Sequence, residues 1–319
     1  MADVVALGEL LIDFTPAGLS DQGNVLFERN PGGAPANVLV ALTRLGGTGA
    51  FIGKVGEDAF GNFLLDTLKK NGVDPSGLKR NASVPTTLAF VHLSDTGDRS
   101  FSFYRNPGAD WLLSYEDIDL DLIRNARVFH FGSVSMTHEP SRTATMKAVQ
   151  FAKESGRIVS YDPNYRPALW QSPDEARKVM IEGMAYADIL KISGEELEFL
   201  TGVNDLDEGV NSLLKHYNGK VLLITLGAHG CFFGMNGQYD RLPAYPVHTI
   251  DTTGAGDAFL GGFLYQITQR NYPFSEITFV QLKEYVDFAN AVGSLATTKK
   301  GAIPAMPQLK TVQNCMRNL

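Results

Sequence analysis

The amino-acid sequence predicts an α/β fold: a doubly wound, mostly parallel sheet in three layers, with a small β-sheet lid set apart from it. Three observations lead to this prediction. Short apolar runs typical of buried strands alternate with helical stretches from about 115 to 230. Polar residues directly follow several of these runs, where parallel α/β sheets bind their ligands. Near residue 85 the alternation is interrupted by two β-rich runs.

Size and composition narrow the choice of fold and function. The chain has 319 residues, of which 44% are hydrophobic and 20% charged, so we expect a sizeable globular core. A formal net charge of −7 argues against a nucleic-acid partner or an anionic membrane surface, because both need a basic patch. Cys231 and Cys315 give neither a disulfide framework nor a metal-ligand spacing. Without a signal-peptide pattern or an apolar run near the ~18 residues of a bilayer span, we expect a cytoplasmic protein.

The N-terminal part predicts a strand, a glycine turn and a helix in that order. The apolar run 4–8 is typical of a buried strand, and Asp13 follows it either as a solvated loop residue or as an acceptor for sugar hydroxyls. Gly32 and Gly33 form either a tight turn into a helix or a place where backbone approaches a ligand closely. Asn37, in that helix, offers a donor and an acceptor together. A further strand and helix are expected between residues 48 and 80.

Two β-rich runs, 86–93 and 100–104, flank the turn-forming segment 95–98 and predict a hairpin. We expect this hairpin to pair with strands from about 11–30 in a small separate sheet. Such an exposed sheet either covers a site as a lid or pairs with another subunit. The predicted division is a large domain of residues 1–10, 34–84 and 112–319, and a lid of residues 11–33 and 85–111.

Polar groups follow three neighbouring predicted strands. The expected strands in this region are 128–131, 158–161, 189–192 and 221–224. Residues 162–166 follow the second strand, 193–196 the third and 225–230 the fourth. Each group alone is typical of a turn. Because parallel strands end at one edge of the sheet, the groups together predict a binding site.

The segment 251–259 combines a glycine loop with the start of a helix. Gly254 and Gly256 allow successive backbone N–H groups to point into one concave site, and apolar residues from 259 onward recur at helical spacing. A helix N-terminus with unpaired N–H groups binds anions. Asp257, in the first turn, is either a cap that compensates the helix dipole or a general base beside a site that collects negative charge.

Two common phosphate-binding motifs are absent from the sequence, namely G-x-x-x-x-G-K-[ST] and a dinucleotide fingerprint after the first strand. The chain instead resembles the ribokinase/PfkB family of carbohydrate kinases. Residues 32–37 are similar to the N-terminal signature of that family and residues 251–259 to its C-terminal signature, in the right order along the chain. Residues 103–110 and 161–170 look most like fructokinases. The resemblance implies a ribokinase-like fold with Rossmann-like layers.

The resemblance also implies a reaction, the transfer of the γ-phosphoryl group of ATP to a primary hydroxyl of a sugar. Asp257 would take the proton from that hydroxyl as the oxygen attacks phosphorus. The backbone amides of Gly254, Ala255 and Gly256 would stabilise charge on the transferring group. A non-catalytic sugar- or nucleotide-sensing protein is the alternative from a different class.

The implied sugar contacts cluster around the N-terminal signature and two arginines: Asp13, Gly32, Gly33, Asn37, Arg105 and Arg166. Relatives that act on the acidic sugar 2-keto-3-deoxygluconate hold its carboxylate with tyrosine hydroxyls and arginine. The matching positions here are Phe90 and Phe103, which have no hydroxyl, so a neutral ketohexose such as D-fructose fits better. A 2-keto-3-deoxygluconate kinase, a ribokinase and a nucleoside kinase are the alternatives within the family.

Nucleotide and ion contacts are implied in the same way. The nucleotide positions are Ser193, Thr225, Gly227, Gly230 and Asn290. Glu196 would be linked to Mg²⁺ through water, although Ser193 stands where the family pattern has asparagine. A K⁺ ion would be held by the backbone carbonyls of Asp251, Thr253, Ala296, Lys299 and Gly301. A homodimer through the lid sheet is expected by family analogy.

Overall fold

The structure, a computed structural model, describes residues 2–93, 99–270 and 273–317. Its strands are β1 (Val4–Leu7), β2 (Leu11–Leu19), β3 (Val25–Gly32), β4 (Gly49–Gly56), β5 (Val73–Asn81), β6 (Leu88–Leu93), β7 (Arg99–Tyr104), β8 (Val128–Gly132), β9 (Ile158–Asp162), β10 (Ile189–Ser193), β11 (Val221–Thr225), β12 (Cys231–Met235) and β13 (Gln238–Leu242). Its α-helices are α1 (Ala34–Arg44), α2 (Ala59–Lys70), α3 (Leu120–Arg124), α4 (Ser141–Glu154), α5 (Pro173–Met184), α6 (Gly194–Thr201), α7 (Leu206–Leu213), α8 (Ala255–Thr268), α9 (Phe279–Ala296) and α10 (Leu309–Arg317). The predicted hairpin turn at 95–98 lies outside the described residues.

Nine of the described strands form the large sheet, in the order β13-β12-β11-β10-β9-β8-β1-β4-β5. Neighbouring strands are parallel from β11 to β5, whereas β12 and β13 add an antiparallel edge. Strand β1 lies inside the sheet between β8 and β4, so the chain winds outward from it in both directions. The predicted doubly wound α/β fold is confirmed, and the carboxyl ends of β9, β10 and β11 meet at one edge.

Helices cover both faces of this sheet. Val4 and Ala6 of β1 are buried in a core with α1, α8 and α9, whereas Val5 and Leu7 are buried in a second core with α4 and α5. The alternation follows from the two-residue period of a strand that is covered on both sides. Within the described ranges, no helix combines the length and the apolar character that crossing a bilayer requires.

A second sheet of four described strands, ordered β3-β2-β6-β7, forms the predicted lid. Phe14 lies opposite Phe90 in the register of β2 and β6, and their rings stack with centroids 4.8 Å apart. Phe14 also contacts Phe60 of α2, so this face of the lid packs on the large sheet's helices. Asp13, one residue earlier, therefore points to the other face. We retain the predicted domain boundaries as a proposal.

Some elements differ from the sequence-based expectation. Strand β5 was not predicted because it contains Pro75 and Gly77, residues that weaken a strand signal, and its register with β4 shifts to accommodate them. The hairpin of β12 and β13 was also missed. Asn236 and Gly237 connect its strands with φ angles of 52° and 77°, the conformation that an Asn-Gly turn favours. Helix α6 begins at Gly194, where a turn was expected.

Close packing of α1 against α8 gives a test of this fold. A Cβ atom at Gly261 would lie 2.5 Å from the Cβ of Ala41 and 2.7 Å from the carbonyl oxygen of Val38, so an added methyl group has no room. At Gly194 the nearest atom would be Leu226 Cδ2 at 3.4 Å, an ordinary contact. Gly261 lies in the interior of α8 and Gly194 is the first residue of α6, so helix propensity alone would favour alanine at Gly261. We expect Gly261→Ala to have a free energy of unfolding about 1–3 kcal/mol below that of Gly194→Ala in urea titrations. Equal stabilities would contradict the packing.

Candidate active site

A cleft of about 1620 Å³ opens where β9, β10 and β11 end. Predicted site residues among its lining are Arg166, Ser193, Glu196, Thr225, Gly227, Gly230, Thr253, Gly254, Ala255, Gly256, Asp257 and Asn290. They come from segments far apart in the chain, and parallel strands deliver these segments to the same edge of the sheet. The structure thus brings the predicted catalytic and nucleotide positions together.

Asp257 lines this cleft with a carboxylate that is almost entirely buried. The Nδ2 atom of Asn37 donates to its Oδ2 at 2.8 Å, and Nδ2 of Asn164 donates to its Oδ1 at 3.4 Å. Burial raises the pKa of Asp257, while the charge of Lys191, the Asn37 hydrogen bond and the charge of Arg166 oppose that rise. A carboxylate held in place with a raised pKa is suited to accept a proton.

The turn before α8 presents backbone amides to the cleft. Gly254 has a φ of 75°, and a Cβ atom there would lie 2.6 Å from the Cβ of Ala302, so conformation and space both require glycine. The first turn of α8 brings its N–H groups and the positive end of the helix dipole to this point. The amide of Ala255 already donates to the carbonyl oxygen of Thr252 at 3.2 Å. Of the three predicted amides, this one is therefore engaged within the protein.

Four predicted sugar residues are not among those that line this cleft, namely Asp13, Gly32, Gly33 and Asn37, and they are linked to it through Asp257 and Arg166. Gly33 begins α1 with a φ of 118°, and a Cβ at Gly32 would collide with the carboxylate of Asp13. Burial raises the pKa of Asp13 to about 6, and the charge of Arg166 opposes it. Arg166 acts electrostatically on both Asp13 and Asp257, while Asn37 contacts Asp257 directly. The structure therefore joins these residues into one group around the Asp257 carboxylate.

Arg105 has a different environment from the one expected of a sugar contact. Its guanidinium is buried and pairs with Asp110, with Nε to Oδ2 at 2.8 Å and Nη2 to Oδ2 at 2.6 Å. It also donates to the hydroxyl of Thr137 at 2.9 Å and to the carbonyl oxygen of Val134 at 3.2 Å. These bonds tie the end of β7 to the segment after β8. The sugar contact of Arg105 stays a prediction.

The two phenylalanines that bear on the substrate lie on opposite faces of the lid. Register pairs Asp13 with Ala89 and Ala89 with Phe103, so Phe103 shares the face of Asp13. Phe90 stacks on Phe14 on the opposite face. Of the two matching positions, Phe103 therefore shares the face of the predicted sugar contact Asp13 and Phe90 does not, because a shift of one residue along a strand reverses the side-chain direction.

Ser193 and Glu196 form a reciprocal cap at the start of α6. The Oγ atom of Ser193 accepts the Glu196 amide at 3.1 Å, and Oε2 of Glu196 accepts the Ser193 amide at 2.8 Å. Oε1 of Glu196 accepts the amide of Tyr165 at 2.7 Å. Each carboxylate oxygen keeps a further lone pair for a water molecule, so Glu196 fits a water-mediated link to a metal ion.

The remaining nucleotide positions lie along β11 and α9. Thr225 ends β11 and donates from Oγ1 to the carbonyl oxygen of Ile192 at 3.4 Å. Gly227 and Gly230 have φ angles of 57° and 87° in the turn that follows. Asn290 is buried and its Nδ2 donates to the carbonyl oxygen of Pro243 at 3.1 Å. Its amide nitrogen therefore anchors the segment after β13 at the edge of the cleft.

Hydrogen bonds join the two segments that carry the five predicted cation-binding carbonyls. Oδ2 of Asp251 accepts the amide of Gly301 at 2.9 Å, and its Oδ1 accepts the hydroxyl of Thr253 at 2.7 Å. The amides of Ile250 and Asp251 donate to the carbonyl oxygen of Thr297. Residues 250–253 and 296–301 thus lie side by side, as a shared cation site requires.

Of three further residues in the site, Lys191 was not singled out from the sequence, and Asp162 and Asn164 were predicted only as members of the group 162–166. Asn164 contacts Asp257 and has a φ of 53°, which asparagine tolerates better than most residues. Lys191 and Asp162 are buried and form an ion pair of 2.8 Å. A lysine inside an apolar strand is a usable sequence signal, because lysine is almost never fully buried without a partner.

Comparison with known proteins settles the family. The model of the pfkB family carbohydrate kinases matches residues 1–309. The chain belongs to this family. Probable fructokinase-2 of Arabidopsis thaliana is 48% identical over 306 residues, which cover 95% of this chain and 92% of that protein. The predicted family is confirmed, and with it a phosphotransferase that has an alcohol group as acceptor.

Solved fructokinases have the same fold as this kinase. The structure of a fructokinase with bound ATP from Xylella fastidiosa has a TM-score of 0.92 and 35% identity, covering 100% of this chain and 99% of that one. A fructokinase double mutant from Vibrio cholerae, with fructose, ADP and a potassium ion bound, has a TM-score of 0.89 and 35% identity, with 98% of each chain covered.

Replacement of the buried carboxylate tests its role in this kinase. We expect Asp257→Asn to keep the fold and the affinity for ATP, since an amide fills the same space, while kcat falls by about 10²–10⁴ because no base remains. The measurements are coupled ADP release and calorimetric titration with ATP. Asp66→Asn, on the exposed side of α2, is the matched control and is expected to leave kcat unchanged. An Asp257→Asn variant with wild-type turnover would refute the base assignment.

Proposed function

We propose that this kinase transfers the γ-phosphoryl group of ATP to a primary hydroxyl of D-fructose. The observation that carries the proposal is the position of Asp257, which lines the cleft in the first turn of α8, directly after the glycine turn. It accepts a hydrogen bond from Asn37 in the first turn of α1, which follows Gly32 and Gly33. The fructokinases among its relatives, one of them with fructose and ADP bound, support the choice of sugar.

Asp257 acts as the base in the proposed reaction. It accepts the proton of the primary hydroxyl while that oxygen bonds to the γ-phosphorus and the bond from phosphorus to the leaving ADP oxygen breaks. Asn37 and Asn164 hold the carboxylate by their amide groups. The first-turn amides of α8, including that of Gly256, stabilise the charge on the transferring group, and Arg166 lies at the same end of the cleft.

The sugar side suits a neutral substrate that is rich in hydroxyl groups. Oδ1 of Asn37 is buried and has no hydrogen-bond partner among the described residues. A buried acceptor of this kind is expected to meet a donor when the substrate binds, and a sugar hydroxyl supplies one. An acidic sugar would bring a further negative charge to Asp13 and Asp257. Phe103, on the same sheet face as Asp13, offers that charge no hydroxyl.

Two cations complete the proposal. Glu196 would hold Mg²⁺ through water, since both of its oxygens are fixed by backbone amides and retain lone pairs. The joined segments 250–253 and 296–301 would hold K⁺ through their carbonyl oxygens. These ions supply charge neutralisation for the phosphates when bound. A cytoplasmic location is part of the same proposal, because ATP is the phosphoryl donor.

A substrate panel tests the choice of sugar. We expect kcat/KM for D-fructose to exceed that for 2-keto-3-deoxygluconate, D-ribose and adenosine by about tenfold or more, as the discrimination by polar contacts implies. The assay is coupled ADP release, with and without K⁺.

Phe103→Tyr is expected to lower the ratio of kcat/KM for D-fructose to kcat/KM for the acidic sugar. Phe90→Tyr, on the opposite sheet face, is the control and should leave this ratio unchanged. A preference for the acidic sugar would refute the assignment, and binding of sugar and ATP without turnover would favour a sensing protein.

The lid sheet is also the proposed dimer interface. Large apolar side chains are exposed on its strands: Leu19, Val25, Leu26, Phe27 and Tyr104. Clusters of exposed apolar residues mark interaction surfaces, and an edge strand such as β3 offers unpaired backbone groups to a second copy.

Light scattering after gel filtration tests this interface. We expect a dimer for the wild type and a monomer for Leu26→Glu, because the added charge would be buried in the interface without a partner. Val280→Glu is the matched control, since Val280 is 70% exposed at the start of α9, far from the lid strands in the chain. A monomeric wild type would contradict the proposal.

A further inference from the structure

Lys191 is a buried cation inside the large sheet. It lies in β10, between the fully buried residues Leu190 and Ile192, and only 5% of it is exposed. Its Nζ atom pairs with Oδ2 of Asp162 at 2.8 Å. Removing an ammonium group from water is costly unless it is paired, so a lysine here calls for an explanation beyond packing.

The ammonium group of Lys191 reaches the turn that begins α8. A Cβ atom built on Gly256 would lie 2.9 Å from Nζ, and Lys191 itself lines the cleft. The charge therefore lies against the segment whose amides face the cleft. Asp162 is the hydrogen-bond partner that the described residues supply, and an ammonium group has three N–H donors.

Carboxylates surround this cation from several elements. Asp162 ends β9, Glu196 lies in α6 and Asp257 lies in α8, while Arg166 is the other cation that acts on Asp257. Burial alone would lower the pKa of Lys191, but these three carboxylates raise it above its ordinary value, so the side chain is charged. In turn, the charge of Lys191 is the largest influence opposing the rise in the pKa of Asp257.

A purely structural role explains this pair less well. Strands β9 and β10 are already joined by their backbones, with Ile189 opposite Ser160 and Leu190 opposite Tyr161. Replacing a buried ion pair by neutral groups often leaves stability unchanged or improved. The other oxygen of Asp162, Oδ1, is buried without a hydrogen-bond partner among the described residues. Burying this ion pair costs free energy and is not needed to join the two strands. Its place beside Gly256, in contrast, puts a positive charge where we propose that phosphoryl transfer occurs.

We propose that Lys191 is a positioning residue for phosphoryl transfer: its ammonium group, held against Gly256 by Asp162, places a fixed positive charge at the first turn of α8, where the γ-phosphoryl group arrives. Lys191 keeps its protons throughout, and the hydroxyl proton still passes to Asp257. A fixed charge in a site without water stabilises developing negative charge without reorganisation. This inference rests on the proposed kinase reaction and adds a residue to it.

Two single variants separate the charge from the pairing. Lys191→Met removes the charge and keeps the length of the side chain. We expect kcat to fall by about 10²-fold, with a small change in KM for the sugar. The acid limb of kcat/KM should move to higher pH, because loss of a positive charge raises the pKa of Asp257. Asp162→Asn keeps the ammonium and a hydrogen-bond acceptor. Its kcat is expected to fall less than that of Lys191→Met, and its acid limb should move the other way, because a negative charge is lost.

The double variant Lys191→Met with Asp162→Asn shows whether a low kcat comes from the lost charge or from a folding defect. It removes both charges of the ion pair, so it should fold even where Lys191→Met alone does not, as circular dichroism can check. The proposal predicts that the double variant keeps the low kcat, while its acid limb lies between those of the two single variants, because the two lost charges shift the pKa of Asp257 in opposite directions. Recovery of wild-type kcat in the double variant, or an unshifted limb with normal kcat in Lys191→Met, would overturn it. All variants are assayed with whichever sugar the wild type prefers, so a wrong sugar assignment leaves this test intact, and a wild type without turnover refutes the kinase proposal separately.

Discussion

The hydrogen bond between Asn37 and Asp257 is the contact on which the rest of the site depends. It joins the first turns of α1 and α8, from residues 220 positions apart, at a distance of 2.8 Å. Gly33 begins the first helix, where Oε1 of Glu9 accepts the amide of Ala34 at 2.9 Å, and Gly254 begins the second. The two helices also pack against each other, which supports the hydrogen bond between their first turns. The proposed base, the proposed sugar turn and the proposed anion-binding turn are thereby joined.

This arrangement concentrates negative charge at the site. Asp257 and Glu196 line a cleft that must also admit a nucleotide, and Asp162 acts electrostatically on both, in a chain with a net charge of −7. Lys191 and Arg166 oppose that charge, and the dipole of α8 adds a partial positive charge at the same point. Fixed donors and charges of this kind stabilise an incoming phosphoryl group without rearranging. The site thus depends on electrostatic balance as much as on shape.

Much of the architecture was accessible from the sequence, because strand and helix periods are local. The glycine turn at 254–256 and the polar groups that follow β9, β10 and β11 were predicted, and the structure places them at one cleft. The contact of Asn37 with Asp257 is a property of the tertiary fold, and no local period encodes it. Lys191 was hidden in an apolar run, where its pairing with Asp162 depends on the register of two strands. Strand β5 was missed because Pro75 and Gly77 weaken its signal.

The most direct test of the central claim is a crystal structure of this kinase with D-fructose and a non-hydrolysable ATP analogue. The claim is that the Asp257 carboxylate faces both the sugar hydroxyl and the terminal phosphate. We predict a carboxylate oxygen of Asp257 within about 3.2 Å of a primary hydroxyl of the sugar, with the first-turn amides of α8 directed at the γ-phosphate. A complex in which Asp257 turns toward the protein interior, or in which those amides face away from the phosphate, would contradict the claim.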